Sequence, residues 1–384
     1  MQELYGVNTN VKTVREVQAA IRRKAESTPP GLWINGFQFD DTKLDRPLTK
    51  KDLDEATTEH PVVVAHRGGH TSWYNSKALE LAGITNDTPD PPDGRFFRKN
   101  GELTGRVAEN ARGVFNRVGK RETFTPEQRR DRARDGMRHM SQLFSACGLT
   151  SVHNAGTNSE HILAYEDCRK NGELTHPAYM MIRSTEAFNG FKAANIYTGF
   201  GDEWIRVGGI KFVADGSASE RTMRMSTPYV GTNDYGILTM TQEQVYEAVD
   251  DAHSHNFQVG IRWMFAHKSF LDAGIRVPGA SDYNPGPFEP LMAIQSMVTR
   301  KDYKGRVWGA NQKVSVDEAL TIATINGVYP SFEENLKGSI AAGKLADFVM
   351  LEKDPHEVDP DQIMNIKVNR TVIGGRIVYP NERT

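Results

Sequence analysis

The chain has 384 residues and is 38 % hydrophobic, enough for a large core and for about two or three domains, or one barrel with an appendage. Its 47 basic and 49 acidic side chains leave a net charge of −2, which supplies no field to gather nucleic acid or an anionic membrane. No apolar run approaches the roughly 18 residues of a membrane span, the opening MQELYGVNTN lacks a signal-peptide core, and Cys147 and Cys168 have no C-x-x-C partner, so the expectation is a cytoplasmic protein without membrane contact, disulfide framework or structural zinc knot.

Val14, Val17 and Ile21 recur at helical spacing and predict an opening amphipathic helix. From about residue 30 to 122 the text is broken by PPG, HRGGH, TPDPPDG and KNGELTG, with one clear apolar run, PVVVA at 61–65; this reads as a loop-rich subdomain. Thr125 before Pro126 opens a helix that runs through Met137, Met140, Leu143 and Phe144 to Gly148. Four short apolar runs then recur at 149–156, 177–183, 207–216 and 257–261, with helical text between them, the pattern of parallel β-α units.

Thr241 with Gln244 and Ser315 with Glu318 form capping boxes, the first opening a helix over 242–255 and the second a helix ending at Gly327. GIRVPGASD, 274–282, reads as a further strand. KLADFVMLE and the pair KVNRTVI and RIVY, joined by Gly374-Gly375, predict a small antiparallel β element. One junction is unusual: the strand FQVGI runs directly into RWMFAHKSFLDAG, which reads as a helix with a glycine stop, whereas β-to-α connections usually take about two to six residues.

Side chains that do chemistry in a β/α barrel project from the carboxyl ends of the strands, and His153, Lys211, Asp215 and Asp282 are the polar residues expected there. A lysine flanked by Ile210 and Phe212 in a buried strand cannot stay charged and unpaired, because desolvation lowers its pKa. Its neutral amine can react with carbon dioxide, giving a carbamate whose two oxygens can hold two divalent metals; alternatively Lys211 points to solvent or pairs with a carboxylate. Asp282 before a Pro/Gly loop suits a turn or a cap as well as a ligand. His66 and His70 in AHRGGHTSW can meet a ligand or bond locally, and His153 can be a core histidine or the partner of Asp215 in a metal-free acid-base pair. No P-loop, G-x-G-x-x-G or G-x-S-x-G is present, so nucleotide and serine-hydrolase readings have no anchor.

HPVVVAHRGGHTSWYNSKALELAGI, NGELTGRVAENA, GGIKFVADGSASERT, FLDAGIRVPGASDYNPGPFEPL and GSIAAGKLADFVMLEKDP resemble, in that order, the amidohydrolase family 3 group, the YtcJ-like metal-dependent hydrolases. The resemblance extends over nearly the whole chain. It implies an α/β fold: a TIM-type (β/α) barrel over residues 1–330 with the insertion at 30–122, and a small β-sandwich remnant over 331–384. It implies hydrolysis of an amide or N-acyl C–N bond in a small-molecule substrate by a metal-activated water, with one or two divalent ions, zinc by expectation. Lys211 then matches a carboxylated, metal-bridging lysine, Asp282 a metal ligand that also shuttles the catalytic proton, and His70 a substrate-contacting residue of the inserted motif.

The family also carries an H-x-H pair after the first barrel strand and histidines ending strands five and six, which this sequence lacks; Arg262 stands where the strand-five histidine is expected. The resemblance therefore implies that the first strand and half of the sandwich are absent, and that strands six and seven are omitted between Ile261 and Arg262. Two ligands would hold metal weakly, since catalytic zinc takes about three protein ligands and water. The barrel is expected to be incomplete, either as a truncated non-catalytic relative or as joined pieces of a longer protein, and free strand edges would favour a homo-oligomer.

Overall fold

The computed structural model describes residues 2–261, 267–283 and 286–380. Arg262, and with it the Ile261–Arg262 junction, lies outside the described residues. The chain divides into two compact units, one holding Met1–Arg129 and Val213–Val249, the other Arg130–Phe212, Asp250–Tyr283 and Pro287–Thr384.

The first unit is built on a six-stranded sheet. Its strands are β1 (Val7–Asn8), β2 (Ile34–Phe39), β3 (Val62–His66), β4 (Thr71–Tyr74), β5 (Gly94–Lys99) and β6 (Glu102–Glu109), in the order β1-β2-β3-β4-β6-β5. The helix Val14–Glu26 starts at a capping box between Thr13 and Glu16 and buries Val14, Val17 and Ile21 against Ile34, Phe39, Val62 and Val64. Residues 30–122 supply five of the six strands, joined by loops and short helices. Strands such as GRFFRK and ELTGRVAE mix arginines with aromatic and aliphatic residues, and the arginines are accommodated partly over rings, Arg95 and Arg106 both lying over Phe97.

The second unit contains a curled parallel half-barrel sheet of β7 (Val152–Thr157), β8 (Ala178–Ile182), β9 (Ile205–Phe212) and β10 (Val259–Ile261), ordered β10-β9-β8-β7. All four expected strands are present. The helix Pro126–Ala146 precedes β7, and Ser159–Lys170, Thr185–Ala193 and Gln242–Ser254 occupy the connections. One face of the sheet is apolar: Ala178, Met180, Ile182, Val207 and Ile210 join Tyr165, Phe188, Ala252 and Phe257 in a single core. Burying such side chains contributes roughly 1.5–3 kcal/mol each.

The pairing of β8 with β9 slips by one residue: Met180 faces Val207, but Ile182 faces Ile210. The extra residue falls at Gly208-Gly209, a β-bulge. Neither glycine could take a side chain, since a Cβ on Gly208 would lie 2.7 Å from the Tyr179 ring and one on Gly209 would lie 2.4 Å from the Gln258 carbonyl oxygen.

The tail forms the expected antiparallel element, β11 (Phe348–Leu351), β12 (Val368–Ile373) and β13 (Arg376–Tyr379), with Gly374 and Gly375 at φ +55° and +77° in the hairpin. Thr371 anchors it to the end of the helix Pro126–Ala146 by donating to the Ser145 carbonyl at 2.7 Å.

Two expectations are corrected. Residues 274–282 form no strand; their backbone is satisfied by a helical neighbour instead, Gly279 donating to Ile322 O and Val277 O accepting from Asn326. The helix opened by Ser315 and Glu318 covers Val316–Ala323 and breaks at Thr324, whose φ −118° and ψ −94° are not helical, before a short turn of helix at Ile325–Val328.

Candidate functional site

The bulge decides where Lys211 goes. Because it returns Ile210 to the face of Ile182, the next residue, Lys211, falls on the opposite, concave face, level with Gly260 of β10. Met181 shares that face, its methyl reaching to where a Gly260 side chain would begin. Lys211 is half-buried in the penultimate position of β9, the carboxyl end where barrel chemistry sits.

His153 is on the same face but is exposed and second in β7, at the amino end, its ring 5.2 Å from Tyr179. The strand-end position expected of it is therefore corrected. Polar groups gather toward the amino end of this face, with Tyr179 Oη donating to Gln258 at 2.9 Å and buried Glu333 placed 3.0 Å from Lys337 and 3.8 Å from Arg206. Asp282 belongs to the same unit and is half-buried in a loop with φ +50°, a left-handed conformation that aspartate accepts more readily than most side chains. Asp215 lies three residues beyond β9, in the first unit, and accepts from the Arg224 N–H at 3.1 Å.

His70 lies in the first unit, immediately before β4. Its Nδ1 is 2.8 Å from Glu109 Oε2, and its backbone N–H donates to Glu220 at 3.2 Å. Glu109 also lines a cleft of about 390 Å³ in this unit, walled by Trp33, Tyr74 and Phe115, the latter two stacked at 3.7 Å, and edged by Arg112 and Arg121.

The strongest polar cluster was not foreseen. Glu220, 1 % exposed, accepts from the Thr71 N–H and from Thr71 Oγ1 at 2.6 Å, and its Oε2 lies 3.4 Å from His66 Nδ1. Burial acts to raise its pKa, but the hydrogen bonds and charges of His66, Thr71 and His70 win and bring it down to about 2. His66, equally buried, has its other nitrogen 3.3 Å from Asp41; burial works against its charged form, yet the two carboxylates hold its pKa above the ordinary value. Arg106 completes the cluster, donating to the Glu220 carbonyl at 2.7 Å over the Phe97 ring. Gly68 is the close-approach residue, since a Cβ there would stand 1.9 Å from Glu220 Oε1. GRVAENA and SASERT contain the acids, but their partners lie 39 and about 150 positions away, beyond any local pattern.

Among the described residues, one group of three His, Cys, Asp or Glu brings its donor atoms within 4.8 Å of one another, namely Asp40, Asp41 and His66. Its charges are already balanced. Arg67 donates to Asp40 at 2.8 Å, Thr42 Oγ1 to Asp40 at 2.6 Å and Arg221 to Asp41 at 2.9 Å, so a cation would have to displace arginines. Lys211, on the concave face, and Asp282, in a loop of the same unit, are the two donors expected from the sequence, short of the three that a catalytic zinc takes. Among the described residues the donor set does not complete a catalytic metal centre.

Among the described residues no helix is long and apolar enough to cross a membrane. The chain is 25 % identical to YtcJ of Bacillus subtilis (strain 168), an amidohydrolase by name, across 94 % of this chain and 82 % of that protein. It is 24 % identical to the N-substituted formamide deformylase of Arthrobacter pascens, across 97 % of this chain and 83 % of the enzyme. These alignments run to 447 and 459 positions, longer than the 384 residues here, so both relatives carry residues without a counterpart. A solved structure of a metal-dependent hydrolase from Pyrococcus horikoshii has the same fold at a TM-score of 0.64, with 19 % identity across 94 % of this chain and 84 % of the other. The Amidohydrolase family matches residues 1–263 and 261–379, two stretches that meet at the end of β10. With nearly its whole length matched, the chain belongs to the amidohydrolase family.

Proposed function

We propose that the protein hydrolyses a C–N bond in an amide or N-acyl small molecule. The observation that carries this reading is Lys211, held by the bulge on the concave face at the carboxyl end of β9 in a chain of this family. The name of the formamide deformylase, a relative along 97 % of the chain, supports an N-acyl substrate. The family implies a divalent metal, with zinc as the ion proposed, which when bound would polarise the scissile carbonyl and activate water. Lys211, as its carbamate, and Asp282 are the residues proposed to help hold it. Asp282 also takes the proton from the attacking water and returns it to the leaving amine, and His70 binds substrate.

The histidines ending strands five and six belong, on this reading, to a segment between Ile261 and Arg262 that also carries strand seven, and the H-x-H pair to the first barrel strand. Two observations support it: the family match breaks at 261–263, and among the described residues β10 is an edge strand of its sheet. The absent histidines favour a second reading, a non-catalytic relative whose free edge is covered by another copy.

Sequencing the gene and transcript on both sides of codon 1 and across codons 261 and 262, followed by metal analysis and turnover of an N-acyl amine panel, separates the two. An intervening coding segment whose inclusion restores stoichiometric metal and hydrolysis supports the first reading, with Lys211→Ala then losing both. A transcript continuous as written, with sub-stoichiometric metal and no turnover, establishes the second. Metal-replete Lys211→Ala that hydrolyses like the parent overturns the role given to the lysine.

A further inference from the structure

We propose that Glu109 is a positioning residue for His70. It would hold the imidazole with its proton on Nδ1 and present Nε2 as a hydrogen-bond acceptor to substrates bearing an N–H or O–H donor. The inference rests on the reading of His70 as a substrate-contacting residue and adds to it the carboxylate that sets its tautomer.

The backbone makes the two residues partners. β4 and β6 pair with Thr71 opposite Ala108, so the next rung sets His70 opposite Glu109, and the Glu109 N–H donates to the His70 carbonyl at 2.8 Å. The side chains meet at 2.8 Å between Nδ1 and Oε2. An ionised carboxylate has only acceptors, so the ring nitrogen facing it carries the hydrogen. That leaves Nε2 with a lone pair, and among the described residues it has no hydrogen-bond partner, while the imidazole keeps 12 % of its surface open. Carboxylates that orient metal-bound or catalytic histidines from behind work by the same bond.

Two features of Glu109 go against stability. Its backbone sits at φ +51° and ψ −136°, a region that side chains other than glycine rarely occupy, and its Oε1 is buried with no hydrogen bond. The chain doubles back so tightly after it that a Cβ on the paired Gly94 would lie 2.3 Å from Ala111 N. A residue kept only to finish a strand has no need of a buried, half-satisfied carboxylate; one that aims an imidazole does.

The full chain, labelled with nitrogen-15 in its histidines, provides the test, with the His70 signals assigned by their loss in His70→Gln. Imidazole nitrogen shifts should show Nδ1–H on His70 in roughly tenfold excess, as a charge-assisted hydrogen bond would impose. Glu109→Leu should return the ring to the Nε2–H form that free histidine favours, and Glu109→Gln, which keeps an acceptor, should rescue Nδ1–H. An Nε2–H ring in the parent overturns the proposal even if every variant fails to fold, and so does a tautomer unmoved by Glu109→Leu. Should the tautomer behave as expected while His70→Gln hydrolyses substrate like the parent, the dyad stands and the substrate-contacting reading of His70 fails.

Discussion

Replacing Glu220 by glutamine removes one charge and almost no volume from the most enclosed polar cluster of the first unit. The carboxylate is 1 % exposed, and its pKa falls from 4.5 to about 2 on folding. At about 1.4 kcal/mol for each factor of ten, that fall corresponds to about 3 kcal/mol. The figure agrees with the ~3–5 kcal/mol lost when one member of a buried ion pair is removed. Glutamine also turns an NH2 group toward the Thr71 and His70 N–H donors, so the loss includes unsatisfied polar atoms.

The sign with pH is defined. Because the folded pKa lies below the unfolded one, the stabilisation is complete above pH 4.5 and is lost as pH falls through about 2. His66 runs the other way: its pKa is raised, so its share is complete below 6.5 and is lost as pH rises through the folded value. In urea denaturation of the full chain, Glu220→Gln should therefore lower stability by about 3 kcal/mol near neutrality, with the gap narrowing by about 1 kcal/mol toward pH 3.5. Hydrogen exchange at the His70 and Thr71 amides should quicken in step, since both donate to the lost carboxylate. A loss under about 1 kcal/mol, or a gap insensitive to pH, would refute the view of this cluster as a charge clamp.

Gly68→Ala should cost about 1–3 kcal/mol by denaturation, and combining it with Glu220→Ala should cost less than the sum of the two, because the clash at 1.9 Å disappears with the carboxylate. Burial pushes the Cys147 thiol up to about 12 and the Cys168 thiol up to about 11, so alkylation of native protein near pH 8, followed by mass spectrometry, should leave both unmodified until denaturant is added. Thr13→Ala removes the capping box of the helix Val14–Glu26 and should lower stability by about 1 kcal/mol, measured as a shift in the urea midpoint.

The parallel strands were legible because each is a short apolar run bounded by turn residues, and the tail hairpin because Gly374-Gly375 leaves few other turns. The sheet of the first unit was not, since β4 and β6 mix arginine, threonine and glycine with their apolar residues and acquire their pattern only from each other. GIRVPGASD misled in the opposite direction: it has strand composition, but Gly279 and Val277 bond to a helix. At the site, Lys211 was visible as an anomaly, a charge inside an apolar run. Asp282 and His70 were visible as candidates with a structural alternative each and acquired a role only through resemblance, and Glu109 and Glu220 depend on contacts that no spacing reveals.

The doubled glycine of β9 acts as a one-residue gearshift. Deleting either Gly208 or Gly209 would let β9 run on in simple alternation, turning Ile210 toward the hollow side and driving the Lys211 ammonium into the layer of Phe188 and Phe257. The identity of the lysine would be untouched, yet its amine would no longer stand on the concave face. Sequence comparisons that score only whether a lysine is present would miss that difference, whereas a count of residues between Val207 and the lysine would detect it.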